Sequence, residues 1–267
     1  VRLKRGVAKY YNGRYFARAV SDDGTLIGSP AASECKIDLL TQAYAAISGI
    51  APREQCISAL LSAEQALVDK ENKLIKLFHP PFEQSENIGY ICDYPPGIRE
   101  NGGQYTHAAI WFIIALYKTG QKDKAYEYLY MLSGISHCKN SADAAIYKAE
   151  PYVLSADVYS GDNAGRAGWT WYTGAASWYY VAIVRYLFGI TFRNGVITVD
   201  PALPDKTERA YIHIRFNGST ITVDVDNSVK TGKWHFVFNG VEYNTNSLDL
   251  REISRDKTIV LKRCPDC

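Results

Sequence analysis

The sequence predicts a mainly α chain, helical to about residue 189 and β from there on. Apolar residues recur at helical spacing from Ile37 to Ile47, from Tyr105 to Lys118 and from Gly174 to Phe188. After Gly189 the pattern changes to short alternating or β-branched runs: Ile190 to Val199, Ala210 to Phe216, Thr220 to Asp226, Trp234 to Phe238 and Thr258 to Lys262. Asn-Gly pairs at 194–195, 217–218 and 239–240 punctuate them as hairpin turns. Long loops alternate with paired helices in the first part. The expectation is a helical barrel or toroid with a pocket among the loops at one end, closed off by an antiparallel β appendix. The boundary is placed at 189/190, giving regions 1–189 and 190–267.

Residues 1–34 read as turn-rich and polar around Asp22-Asp23-Gly24. The first helix, from Ile37, ends before Gly49, which suits a C-terminal cap. Pro52 opens the next helix, which runs through Leu60, Leu61 and Leu67 to about Lys70. Residues 72–104 contain Pro80-Pro81 and Pro95-Pro96 without periodicity and form a long loop, a feature that is usually functional. Helices at 105–118 and 123–132 are separated by Gly120 and read as an antiparallel pair. Residues 141–168 are expected to be irregular, with helix again from Gly174.

Composition narrows the function classes. In 267 residues, 47% are hydrophobic and 22% charged, as in an ordinary globular protein with a real core. The net charge of +2, with basic residues clustered only at Arg2 to Lys9, leaves no footprint for nucleic acid. No apolar run reaches the roughly 18–20 residues that would cross a bilayer, and no leader pattern opens the chain, so no direct membrane insertion and a cytoplasmic location are expected. The cysteines at 35, 56, 92, 138, 264 and 267 are spread irregularly, which fits free thiols rather than a disulfide framework. Cys264-Pro265-Asp266-Cys267 has the spacing of half a zinc site but lacks a second pair, so no metal is expected. Twenty tyrosines and five tryptophans against one methionine suit sugar rings, and equally an aromatic-rich core.

The densest chemistry lies in Gly97-Ile98-Arg99-Glu100-Asn101-Gly102-Gly103-Gln104-Tyr105-Thr106-His107, directly before an apolar helix. Paired glycines permit either close approach to a ligand or a φ > 0 turn. The helix N-terminus behind them favours anions. The bland alternative is a polar turn capping a helix, with His107 a core histidine bonded to a carbonyl. In a second stretch, Gly165 to Tyr179, Thr173 and Gly174 stand where loop turns to helix, so a hydroxyl and free N–H groups converge on one spot without any basic residue.

YPPGIRENGGQYTHAAIW, KAEPYVLSADVYS and GRAGWTWYTGAASW, in this order and spacing, resemble the inverting glycoside phosphorylases of glycoside hydrolase family 94. Within it they are most similar to the C-terminal part of cyclic β-1,2-glucan synthases and β-1,2-oligoglucan phosphorylases. The earlier SDDGTLIGSPAASECKIDLLTQAYAAISG resembles the segment after the family's catalytic aspartate. The resemblance runs from about 14 to 227. It implies part of an (α/α)6 barrel followed by a small β-sandwich-like region, and inorganic phosphate as co-substrate with no other cofactor. It implies that His107, the Thr173 hydroxyl and the Gly174 N–H hold phosphate, that Arg99, Glu100, Asn101 and Gln104 line sugar subsites, and that Glu150, Tyr152 and Asp157 join the same pocket.

An inverting hydrolase needs both an acid and a base, whereas phosphate is already anionic and needs only an acid. The family's acid sits in a Gly-Asp-Trp-Asn-Asp type motif, and this sequence contains none. Asp22 and Asp23 fall beyond that position. The chain is therefore expected to be a C-terminal piece, inactive alone, that binds glucan oligosaccharide and phosphate and associates with its missing N-terminal half or a second copy. Two alternatives stay open: a hydrolase using two carboxylates such as Glu100 and Asp157, and a carbohydrate-binding or assembly subunit without turnover.

Overall fold

The computed structural model describes residues 2–85, 88–216, 218–249, 251 and 257–264. The chain mixes helix and sheet and divides into two compact units, Val1–Tyr180 and Val181–Cys267.

The first unit opens with α1 (Arg2–Ala8), a helix in a stretch expected to be turns. It buries none of its residues, so no apolar periodicity betrays it, and its Arg, Leu, Lys and Ala are simply good helix formers. A short hairpin, β1 (Ala19–Val20) with β2 (Leu26–Ile27), follows. Next come β3 (Ile37–Asp38) and α2 (Leu39–Ile47), whose N-cap Asp38 accepts the Thr41 N–H at 2.9 Å. Pro52 is the N-cap of α3 (Arg53–Leu67).

The long loop after α3 is partly ordered into two-residue strands. β4 (Val68–Asp69) pairs with β5 (Leu74–Ile75), and β6 (Phe78–His79) with β3. β7 (Gln104–Tyr105) leads into α4 (Thr106–Lys118), followed by α5 (Lys122–Met131). Ten of the thirteen α4 residues are buried, and the helix packs against α2, α3 and α5. It is the axis of the unit's core.

Two short helices follow, α6 (Gly134–His137) and α7 (Ser141–Tyr147), the second on ground expected to be irregular. Their start signals are in the sequence, since Ser133 caps Ser136 and Asn140 caps Asp143 at 2.9 Å. They are too short to show a period. β8 (Asp157–Val158) pairs with β7, and α8 (Ala175–Val181) runs on into a π-helical stretch, Ala182–Leu187.

The second unit holds two sheets. A three-stranded sheet is built from β9 (Ile190–Arg193), β10 (Val196–Val199) and, beyond β10, β15 (Ser247–Asp249). A five-stranded sheet has the order β11 (Arg209–Phe216), β12 (Ser219–Asp226), β16 (Lys257–Cys264), β13 (Lys233–Phe238), β14 (Val241–Tyr243). Alternate residues point to the core: Ile221, Val223 and Val225 from β12, Phe236 and Phe238 from β13, Ile259 and Leu261 from β16. The appendix was expected to be antiparallel, yet β12 and β16 pair in parallel, Ile221 opposite Lys257. Their separation along the chain allows what no hairpin could.

Asn194-Gly195 and Asn239-Gly240 form the predicted turns, each with both residues at positive φ (51° and 78°, 52° and 76°), the type I′ signature. Of the third pair, Asn217 lies outside the described residues, as do Pro265 to Cys267 of the candidate zinc half-site. Among the described residues no His, Cys, Asp and Glu group could hold a metal ion, and no helix is long and apolar enough to cross a membrane.

Gly189 closes the π-helical stretch at φ 65°, and a Cβ there would stand 1.9 Å from the Asp200 carbonyl oxygen. Gly189→Ala should therefore cost roughly 2 kcal/mol or more in denaturant unfolding, from left-handed strain plus the clash. Unchanged stability would refute this packing.

Candidate functional site

The predicted loop is a closed ring of backbone bonds. Gly97 N–H donates to Asn101 O at 2.7 Å, Asn101 N–H to Ile98 O at 3.0 Å and Gly102 N–H to Glu100 O at 2.9 Å. Arg99 is forced to φ 49°. A Cβ on Gly103 would lie 2.8 Å from both the Arg99 and Gly97 carbonyl oxygens. Of the two uses foreseen for the glycine pair, this is the turn: the room at Gly103 is filled by the loop's own carbonyls.

Asn101 and Gln104 brace this ring from inside. Asn101 is fully buried and its amide exchanges bonds with the Phe82 backbone, at 2.8 and 2.9 Å, while also donating to Tyr94 O. Gln104 accepts from Ile75 N–H at 2.9 Å and donates to the Thr106 hydroxyl at 3.0 Å. Both side chains point into the protein. The first N–H of α4 is also spoken for, since Thr106 N–H donates to Ala156 O at 2.9 Å.

The second and third motif blocks join the first through backbone pairing. Tyr105 stands opposite Asp157, and Ser160 N–H donates to Gly97 O at 2.9 Å. Ala156 N–H donates to Trp169 O, and Val158 bridges Ala167. These contacts converge on Asp157. Its Oδ1 accepts the Trp169 N–H at 2.8 Å, and Gly168 lies so close that a Cβ would meet Oδ2 at 2.3 Å. Burial raises the Asp157 pKa, opposed by the Trp169 N–H and the Arg99 charge and reinforced by Glu100. Arg99 lies between the Tyr94 and Trp169 rings, 5.4 and 5.7 Å from their centroids, with its Nε 3.7 Å from Glu100 Oε2.

His107 is the second residue of α4 and sits among aromatic rings, 4.7 Å from Trp111 and 6.1 Å from Trp178 between centroids. Burial lowers its pKa, so the imidazole is neutral at pH 7. A Cβ on Gly174 would be 3.3 Å from His107 Cε1, so the Thr173-Gly174 corner touches the imidazole. The Thr173 hydroxyl accepts the Ala175 N–H at 3.0 Å, which leaves its own hydrogen free to donate. The three residues assigned to phosphate thus share one spot.

Glu150 and Tyr152 stand further out. Trp171, itself at φ 66°, donates its indole N–H to Glu150 at 3.2 Å and packs edge-on to Tyr152. Tyr152, Trp169, Trp171 and Tyr172 are all more than half exposed. Asp22 and Asp23 lie in the turn between β1 and β2. Asp23 accepts from the Thr25 N–H at 2.9 Å, and its hydrogen bonds, the Ser21 hydroxyl foremost, hold its pKa down to about 2.

Nine buried side-chain polar atoms lack a hydrogen-bond partner among the described residues, and five belong to this cluster: Arg99 Nε, Glu100 Oε2, His107 Nε2, Trp111 Nε1 and Asp157 Oδ2. Buried polar groups are normally satisfied, so such a concentration marks a place built for a polar ligand. Trp111 was missed by the sequence reading, although it lies four residues after His107 on the same helical face.

Residues 3–189 match the glycosyl hydrolase 94 superfamily catalytic domain, and residues 190–231 the glycosyl hydrolase family 65 C-terminal domain. The chain is 40% identical over 225 residues to the cyclic β-(1,2)-glucan synthase NdvB of Rhizobium meliloti, covering 84% of this chain and 8% of that protein. It is 29% identical to the solabiose phosphorylase of Paenibacillus borealis, covering 85% of this chain and 29% of that one. It is 26% identical to the 1,2-β-oligoglucan phosphorylase of Listeria innocua, covering 63% and 16%. The chain thus spans less than a third of the length of each of these relatives. On the match over residues 3–189, it belongs to the glycosyl hydrolase 94 superfamily.

Proposed function

We propose that this chain supplies the phosphate site and one wall of the donor-sugar subsite of an inverting phosphorylase, or of the related ring-closing synthase, acting on β-linked glucans. The reading rests above all on His107, Thr173 and Gly174 meeting at one point beside a cluster of unpartnered buried polar atoms. The Thr173 hydroxyl offers a hydrogen there and His107 turns its Cε1–Nδ1 edge to the same corner, and inorganic phosphate is the co-substrate they would hold in line with the anomeric carbon. A phosphate oxygen then bonds to that carbon on the face opposite the leaving glucan oxygen. The C–O bond breaks, a carboxylic acid protonates the leaving oxygen, and α-glucose 1-phosphate departs. Arg99, Glu100 and Asp157 hold the sugar, with Asn101 and Gln104 fixing the loop that carries them. Glu150, Tyr152 and the exposed Trp171 extend the sugar path outward.

The proton donor lies outside these 267 residues. Asp23, its pKa held down to about 2, keeps no proton to give at neutral pH, and Asp157 is tied through Oδ1 to the Trp169 backbone. In this reading the helical region, 1–189, is part of an (α/α)6 barrel, the region 190–267 is its β-rich companion, and the exposed aromatics near residues 152–172 face the rest of the protein or a second copy.

The chain alone should bind phosphate and β-1,2-linked glucose oligomers without releasing glucose 1-phosphate. Phosphate-dependent release would overturn the placement of the acid, and absence of phosphate binding would overturn the site. His107→Ala should weaken phosphate binding about 10- to 100-fold with the fold intact, the loss expected for one hydrogen bond to a charged group, ~1.5–3 kcal/mol. An unchanged affinity in titration calorimetry would remove His107 from the site.

Asp157 offers a test with a defined sign. Its raised pKa means that ionisation costs the folded chain stability, fully so above the folded pKa and not at all below the ordinary aspartate range. Asp157→Asn should raise the melting temperature by a few degrees at pH 7 while weakening glucan binding. The gain should close by about pH 3. Equal melting temperatures at both pH values would show that burial of this carboxylate carries no cost.

A further inference from the structure

In the second unit, four chain segments converge on a cleft of about 580 Å³ lined by polar side chains, among them Asp200, Lys233, His235, Asn244, Asn246 and Arg263. None of these belongs to the site described above. We infer that this cleft is a separate carbohydrate-binding site, taking the hydroxyl face of a neutral glucan segment; the choice of glucan rests on the function proposed above.

The lining has the mixed character that vicinal hydroxyls need. Each sugar hydroxyl donates and accepts, so a site for it must offer both. Asp200 accepts only, Lys233 and Arg263 donate only, and the Asn244 and Asn246 amides do both. Asp200, Lys233, Asn244 and Asn246 have no side-chain hydrogen bond or ion pair with any described residue, so their capacity is unspent. Arg263 is set rigidly, its guanidinium 4.3 Å from the Trp234 ring centroid and bonded to Lys230 O, while its buried Nε lacks a partner. Asp200 offsets one of the two cations, Lys233 and Arg263, and a purely anionic ligand would leave the Asp200 acceptor and the donors and acceptors of both amides poorly used.

The backbone beneath these free side chains is pinned. Asp200 N–H donates to Gly189 O at 3.0 Å, Val199 N–H to Asn246 O at 3.0 Å and Phe236 N–H to Thr245 O at 3.0 Å. Fixed positions with unspent polar ends lower the ordering cost of binding.

Titrating the full chain with β-1,2-linked glucose oligomers by calorimetry and NMR tests this. Two binding components are expected. Asn244→Ala with Asn246→Ala should weaken one at least tenfold at unchanged melting temperature, and Glu100→Gln should weaken only the other. Wild-type titration of the double variant would overturn the inference, as would NMR shifts at these residues produced by inorganic phosphate and not by the oligomers. If the Glu100-dependent component is missing while the Asn244- and Asn246-dependent one remains, the catalytic reading falls and this site stands.

Discussion

The first unit depends on one constraint: α4 has almost no solvent face. Ten of its residues are buried, so neighbours must surround it, and α2, α3 and α5 do so. A helix enclosed in this way can meet polar ligands only near its ends. At its start stand His107 and, one turn on, Trp111, whose ring nitrogens are buried without partners. The apolar demand of the core therefore fixes where polar chemistry can occur, and holds His107 in a neutral form by the same burial.

That placement is completed by backbone pairing rather than by side-chain contacts. Three loops distant in sequence are tied by short ladders at Gln104–Val158, Tyr105–Asp157 and Val158–Ala167. Asn101 and Gln104 turn their amides to this scaffold, whereas Glu100 Oε2 and Asp157 Oδ2 have no hydrogen-bond partner among the described residues. Gly103 and Gly168 are needed because the chain folds tightly upon itself there, with no room for a Cβ. Stability is given up locally: a buried carboxylate with an unpaired oxygen is unfavourable unless a ligand satisfies it.

Much of this was legible because it is written in local patterns. The periods of α2, α4 and the strands of the second unit, and the Asn-Gly turns, are short-range signals whose physical causes act within a few residues. The candidate site residues were singled out through three blocks of sequence resembling one family. What was not legible arose from long-range structure. The parallel pairing of β12 with β16 joins segments separated by some thirty residues. The inward turn of Asn101 depends on Phe82 and Tyr94, which no spacing rule connects to it. Trp111 looked like one more apolar position on a buried helix until its indole N–H was found unpaired.

The corner at His107, Thr173 and Gly174, proposed above to hold phosphate, includes no lysine or arginine among its three residues, and Arg99 is committed to the Tyr94 and Trp169 rings and to Glu100. Neutral donors bind a dianion less tightly than cations would, and a nucleophile held by neutral donors keeps more of its charge on the attacking oxygen. In the proposed phosphorolysis, such a corner would favour reaction over retention, and rate would depend on the geometry of its donors rather than on net charge.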